Sequence, residues 1–179
     1  EAGGRNPSPE TRDLLARALR PFILRRTKNQ VAKDLPERTE ETLYCELDRN
    51  QRKLYNELRD HYRASLKTKI EKEGINKSKI MVLEALLRLR QAACHPGLLD
   101  DKRLHESSAK LEALVPQISE VIDEDHKVLV FSQFTSFLAI VRRKLDSIGI
   151  RYEYLDGQTR DRESKVNTFQ NDSGCRLFL

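Results

Sequence analysis

From Lys127 to Leu179, short apolar runs rich in branched residues alternate with stretches of helical period. This alternation limits the fold more than any other feature of the 179 residues. Lys127-Val-Leu-Val-Phe131 is a continuous apolar run, the pattern of a strand covered on both faces. Thr135 to Ile148 then places Phe137, Leu138, Val141 and Leu145 on one helical face and closes at Gly149. Tyr152 to Leu155 reads as a second strand and Asp156-Gly157 as a turn. Arg160 to Gln170 reads as another helix and Cys175 to Leu179 as a third strand. Parallel neighbours need a crossover connection, so strand, helix, strand, helix, strand is the repeating unit of a parallel α/β sheet. Three strands are fewer than a finished doubly wound sheet has. The sequence therefore reads as stopping within a domain, with an open sheet edge.

The N-terminal two-thirds is mostly helical in pattern. Glu1 to Asn6 has no periodic apolar residues and reads as a loose end. Ser8 before Pro9 is a helix start, Leu14, Leu15 and Leu19 give an apolar edge, and Pro21 is a stop. Thr39 to Leu47 alternates, with Leu43, Cys45 and Leu47 on one side, and predicts a half-buried strand. Asp48 and Gln51 have capping-box spacing, and Leu54, Leu58, Tyr62, Leu66 and Ile70 follow at intervals of four up to Gly74. A second helix is predicted from near Ser78 to Ala93, inward at Ile80, Leu83 and Leu87 and ended by His95-Pro96-Gly97. A third begins at Ser107 or Ser108, with Leu111, Leu114, Val115, Ile118 and Ile122 inward. Pro116 within it predicts a kink or a late start. The predicted class is thus α/β in three parts: a connector with a first strand (1–47), a helical insertion (48–106), and an incomplete parallel sheet with its helices (107–179).

Several functions are excluded by what is missing. No apolar run approaches the roughly 20 residues of a membrane helix, and no secretory signal opens the chain. Cys45, Cys94 and Cys175 are odd in number and far apart, which fits a reducing, intracellular setting rather than a disulfide scaffold. No G-x-x-x-x-G-K-[ST], G-x-G-x-x-G or G-x-S-x-G motif is present. His61, His95, His105 and His126 have no metal-ligand spacing with one another or with cysteine, so no metal site is expected. Asp123, Glu124 and Asp125 precede a strand and read as a solvated loop.

In open α/β sheets ligands gather at the carboxyl ends of the strands. That rule selects Ser132, Gln133 and Thr135 after the first strand, and Gly157, Gln158, Thr159, Arg160 and Arg162 after the second. Both loops lead into helices, where backbone N–H groups and hydroxyls suit a phosphate. Plain helix capping by Thr135 and Thr159 is the other reading of the same residues. The formal charge of +5 is too small to name a nucleic-acid partner, but it is unevenly spread. Arg17, Arg20, Arg25, Arg26, Lys28 and Lys33 follow one another without an intervening acid. The lysines between Lys67 and Lys79 are diluted by Glu71 and Glu73 and read as a solvated helix face.

Leu19-Arg-Pro-Phe-Ile-Leu-Arg-Arg-Thr-Lys28, with Val31 and Leu35-Pro-Glu-Arg38, resembles the joint between the two motor lobes of Swi/Snf-type ATPases. Leu89-Arg-Gln-Ala-Ala-Cys-His-Pro96 is similar to the box closing that family's helical insertion, with Cys94 where an asparagine is frequent. Ser108-Ala-Lys-Leu-Glu112 resembles the start of the second lobe. Lys127-Val-Leu-Val-Phe-Ser-Gln-Phe-Thr135 and Tyr154-Leu-Asp-Gly-Gln-Thr159, with Arg162 after it, resemble two successive helicase motifs. The order is the family's own.

The resemblance implies a double-stranded DNA translocase of helicase superfamily two, with ATP and Mg2+ between two RecA-like lobes. It implies that Ser132–Thr135 and Gly157–Arg160 touch the phosphate backbone and that Arg25, Arg26 and Lys28 form a basic patch at the joint. The residues of the first lobe, and those of the family's later glycine-rich and arginine-bearing motifs, are not in these 179. Phosphoryl transfer needs phosphate cradle, metal and arginine together, so the chain alone is expected not to hydrolyse ATP and to need the first lobe as partner. Compartment follows source: nucleoid or cytoplasm in a bacterium, nucleus in a eukaryote. A non-enzymatic helical protein-interaction module is the alternative.

Overall fold

The computed structural model describes residues 8–179 other than 33 and 37; the expectations for residues 1–6 and for Lys33 lie outside them. The chain divides into two compact units, between Thr42 and Leu43. In the first unit α1 (Pro9–Leu19) starts as its sequence dictates. Ser8 Oγ accepts the Thr11 N–H at 3.2 Å, and proline fills a first-turn position where no N–H is needed. A short helix α2 (Lys28–Val31) follows.

The second unit opens with an extended segment rather than the strand expected over Thr39–Leu47. Cys45 and Leu47 are half-buried and Glu46 exposed, so the alternation survives, but Tyr44 is 89% exposed and no described strand offers its backbone a ladder. Periodicity marks a face; a strand also needs a partner. Next come α3 (Arg49–Glu73) and α4 (Ile75–Cys94), packed as a hairpin. Gly74 joins them at φ +79°, a left-handed conformation that favours glycine. Leu54, Leu58, Tyr62, Leu66 and Ile70 are half-buried along α3, as their spacing predicts.

Helix α4 departs from expectation. It begins before Ser78 and turns Ser78, Ala85 and Ala92 inward, leaving Ile80, Leu83 and Leu87 exposed, Ile80 by 81%. Both faces of this helix are apolar enough to be buried, and periodicity cannot choose between them. The small side chains face inward.

Two 3-10 turns, Pro96–Leu98 and Asp101–Arg103, lead to α5 (Ala109–Asp123), whose N-cap Ser108 accepts the Leu111 N–H at 3.3 Å. The helix continues past Pro116, which has no N–H to donate to the preceding turn, without the late start. Then follow β1 (Val128–Leu129), α6 (Thr135–Ser147), β2 (Tyr152–Glu153), α7 (Arg162–Asn171) and β3 (Leu177–Phe178). All pairs are parallel, and the order β1-β3-β2 puts the last strand in the centre. The ladder reaches beyond the strand cores, for Val130 N–H donates to Phe178 O and Leu155 N–H to Leu179 O, each at 2.9 Å.

Register sorts the faces. Val128, Leu177 and Tyr152 lie side by side and face the core, which Leu111, Val115 and Ile118 of α5 and Phe137, Ile140, Val141 and Leu145 of α6 complete. On the other face Phe178 packs edge-on against Phe169 of α7, and Glu153 pairs with Lys165 at 2.6 Å. Lys127 Nζ closes the end of α7 by donating to Phe169 O and Gln170 O at 2.7 and 2.8 Å, a cation at the negative helix terminus. The expectation that β1 is covered on both faces is not met: Leu129 is exposed and Phe131 is 88% exposed. The cover on that face, α7, lies over β2 and β3. Among the described residues no helix is long and apolar enough to cross a membrane.

Candidate nucleic-acid interface

Because β1 and β2 are parallel and flank β3, the loops leaving their carboxyl ends open on one rim, two strand spacings apart, or about 10 Å. The first loop is short. Ser132 Oγ accepts the Phe134 N–H at 3.1 Å and lies 3.2 Å from Phe134 O, so its hydroxyl is spent within the loop. Phe134 takes the N-cap position of α6 and supplies no side-chain cap. Thr135 is the first helical residue and exposed; it does not cap. The first N–H groups of α6 therefore meet no side chain, which is the arrangement that accepts an anion. Gln133 is exposed beside them, with its Oε1 held at 2.6 Å by Arg90 Nη2 of α4.

The second loop is built around Asp156. One carboxylate oxygen accepts the Gln158 N–H at 2.9 Å and the Thr159 hydroxyl at 3.0 Å; the other accepts the Tyr154 hydroxyl at 3.1 Å. The Thr159 hydroxyl oxygen accepts the Asp156 N–H at 3.0 Å. These bonds, led by the Gln158 N–H, hold the Asp156 carboxyl below the usual carboxylate range. Burial, and then Asp156 itself, push the Tyr154 phenol up, and the Arg142 guanidinium stacks over its ring at 4.4 Å. Thr159 thus closes the turn, and Asp161 caps α7 by accepting the Ser164 N–H at 3.1 Å. Arg162 bends back to donate to Thr159 O and Asp156 O, each at 3.3 Å. Gly157, Gln158 and Arg160 are exposed, and Arg160 bonds to none of the described residues.

Arg25, Arg26 and Lys28 are exposed in the first unit, around the start of α2.

Sequence reasoning missed the polar frame behind the rim. Gln51 is fully buried, and its amide donates to Ala92 O at 2.9 Å and accepts the Ala109 N–H at 3.2 Å. Only half the capping box forms: Asp48 accepts the Gln51 N–H at 2.8 Å, but the Gln51 side chain is used across the fold. His95 is also fully buried, with Nδ1 accepting the Gly97 N–H at 2.9 Å. Burial pushes its pKa below the ordinary histidine range, and the backbone and carboxylate of Glu106 oppose that only in part. A Cβ on Gly97 would lie 2.8 Å from Leu104 Cδ2 and 3.0 Å from Leu104 Cα, so the turn needs glycine for space.

Short parallel strands, an uncapped helix start and an exposed arginine meet on one rim of an α/β, RecA-like sheet. Residues 5–98 match the family model described as the SNF2-related domain, more than half the sequence, and the chain belongs to that family. It is 33% identical over 168 residues to an uncharacterized ATP-dependent helicase of Mycoplasma pneumoniae, covering 93% of this chain and 16% of the relative. It is likewise 33% identical over 181 residues to chromodomain-helicase-DNA-binding protein 1-like of Danio rerio, covering 96% of this chain and 17% of the relative. Its fold matches the Sulfolobus solfataricus SWI2/SNF2 ATPase core in complex with dsDNA with a TM-score of 0.72 and 28% identity. That match covers 94% of this chain and 36% of the other. The chain thus spans about a sixth of the length of these two sequence relatives.

Proposed function

We propose that the chain serves within an ATP-dependent translocase of double-stranded DNA, and that its rim holds the phosphate backbone of the strand being tracked. The observation that carries this reading is the uncapped start of α6, with Gln133 and Thr135 beside it, on the same rim as the exposed Arg160. Backbone N–H groups, an amide and a guanidinium can all donate to phosphate oxygens, and none of them reads a base. The family membership and the DNA named for the Sulfolobus structure support the same ligand. Arg162 braces the turn, so Arg160 makes the outer contact, with Gly157 and Gln158 offering backbone at the tip.

In this reading residues 1–47 connect to the first motor lobe, 48–106 form an insertion and 107–179 belong to the second lobe. ATP and Mg2+ belong to the assembled motor. Among the described residues no three His, Cys, Asp or Glu side chains gather to hold a metal ion, and the sequence contains no phosphate loop. These residues do not fit the nucleotide by themselves. The helicase and DNA-binding names of these relatives support a working protein at the chromosome, in nucleoid or nucleus according to source.

The test is the salt dependence of duplex binding. Arg160→Ala should lower the slope of log K against log salt by about 0.9, the value for one neutralised phosphate. Arg162→Ala should weaken binding with a smaller change in slope. An unchanged slope and affinity in both variants removes the rim from the interface. The alternative, a helical protein-interaction module, draws on the outward Ile80, Leu83 and Leu87 of α4. It requires binding to DNA to be indifferent to every rim substitution.

A further inference from the structure

Gln133 and Arg90 are 43 residues apart in sequence and belong to different parts of the fold, yet Arg90 Nη2 lies 2.6 Å from Gln133 Oε1. A glutamine amide has an acceptor end and a donor end, and a free, exposed one offers a phosphate either. Only the NH2 end is useful, since a carbonyl oxygen repels phosphate oxygens. A guanidinium can only donate, so its bond to Oε1 selects one orientation of the amide. With the oxygen occupied by a cation, the NH2 at the other end of the planar amide is left for a ligand and is polarised toward donating. We propose that Arg90 is a positioning residue for the rim: it holds the Gln133 amide with its NH2 outward as a phosphate donor, and so lets helix α4 set the readiness of the loop after β1. The inference rests on the reading that this loop faces DNA phosphate.

The surroundings leave the role to Arg90. A cleft of about 530 Å³ separates α4 and α5 from the loop, and the bases lining it are Arg90 and Lys110. Lys110 Nζ is directed at Cys94 Sγ, at 3.8 Å, and not at the loop. Ser132 is spent on the backbone of Phe134, so Gln133 is the loop's outward amide donor. Arg88, two residues before Arg90, turns to Gln91 instead, with Nη1 3.4 Å from its Oε1.

A double-mutant cycle on the 179-residue chain tests this, using a fluorescent DNA duplex at several salt concentrations. Holding a glutamine ready saves the ordering of one flexible side chain. Gln133→Ala and Arg90→Ala should therefore each weaken binding by roughly three- to tenfold, and the double variant by no more than either alone. Arg90→Lys, which keeps a cationic donor group, should recover part of the loss. Arg90→Ala should leave the salt slope as it was, because Arg90 neutralises no phosphate. A slope reduced by about 0.9 would show that Arg90 meets the DNA itself, and that result, or additive losses, overturns the proposal. The 15N side-chain amide signal of Gln133 supplies a readout without DNA: Arg90→Ala should move it to the position of a free glutamine, and a signal that stays put also overturns the proposal. A signal that moves while Gln133→Ala, Arg90→Ala and Arg160→Ala all bind as before overturns instead the reading that the rim faces DNA.

Discussion

Replacing Gln51 by leucine keeps the volume of the side chain and removes both ends of its amide. Its partners are the orphan groups of two helix termini: Ala92 O lies among the last carbonyls of α4, and the Ala109 N–H is the first of α5. Removing the amide leaves one buried carbonyl, at Ala92, and one half-buried N–H, at Ala109, without their partner. Each such group costs about 1–3 kcal/mol, which gives about 2–6 kcal/mol for the pair. Added hydrophobic burial by leucine offsets about 1 kcal/mol of this, for a net loss of about 1–5 kcal/mol. At a urea dependence of about 2 kcal/mol per molar, the unfolding midpoint should drop by about 0.5–2.5 M, read by circular dichroism at 222 nm. Gln51→Glu should be at least as damaging, because a carboxylate accepts from Ala109 but repels the Ala92 carbonyl. A midpoint for Gln51→Leu within 0.2 M of the parent would refute the clamp.

Gly97→Ala should cost about 1–3 kcal/mol, the usual range for overpacking, because its Cβ meets the backbone of Leu104 as well as its side chain; an unchanged urea midpoint would contradict this. His95 is buried with a lowered pKa, so the folded state prefers the neutral ring. Its contribution to stability is complete above the unfolded value near 6.5 and is lost as pH falls from there toward the folded value. The urea midpoint should therefore decline between pH 7 and pH 5.5, and a flat profile over that window counts against a neutral buried His95; His61, His105 and His126 are exposed. Asp156→Ala should speed hydrogen exchange at the Gln158 and Asp156 amides and weaken duplex binding, with the global urea midpoint little changed; protected amides in the variant would mean that the turn does not depend on the carboxylate.

The core and its capping were legible in the sequence because they are local. Leu111, Val115 and Ile118 recur at helical spacing behind Ser108, and the structure buries all three behind that cap. The strand positions were legible too, though not the order that sets β3 between β1 and β2, which is a matter of which edges meet. The rim could be placed from strand direction alone. What its residues do there could not: Thr135 and Thr159 look like caps in sequence, but Phe134 and Asp161 hold those positions. Register and burial also separated features that composition makes alike. Thr39–Leu47 alternates as well as any strand but finds no described partner, and α4 carries two apolar faces of which the smaller-chained one is buried. The side-chain links from Gln51 to Ala92 and Ala109 and from Arg90 to Gln133 join residues 41 to 58 positions apart and leave no periodic trace.

Those long-range links share one location, the C-terminal third of α4. There Ala92 is tied to Gln51, Arg90 reaches the rim, and His95 with Gly97 turns the chain toward α5. The opposite end of the hairpin, at Gly74, carries the exposed Ile75 and Ile80 and is joined mainly by α3 and α4 to each other. The C-terminal end of α4 is thus held by buried polar bonds, while the end at Gly74 is bare on its apolar side. Among the described residues this end is hydrogen-bonded to the loop after β1 through the exposed Arg90–Gln133 bond, whereas Ala92 and His95 are held by buried bonds. Removing the buried links should cost stability, whereas removing the exposed one should cost DNA affinity and leave the urea midpoint nearly in place. The two properties are therefore separable by substitutions within one helical turn of each other, at Arg90 and at the carbonyl of Ala92 through Gln51.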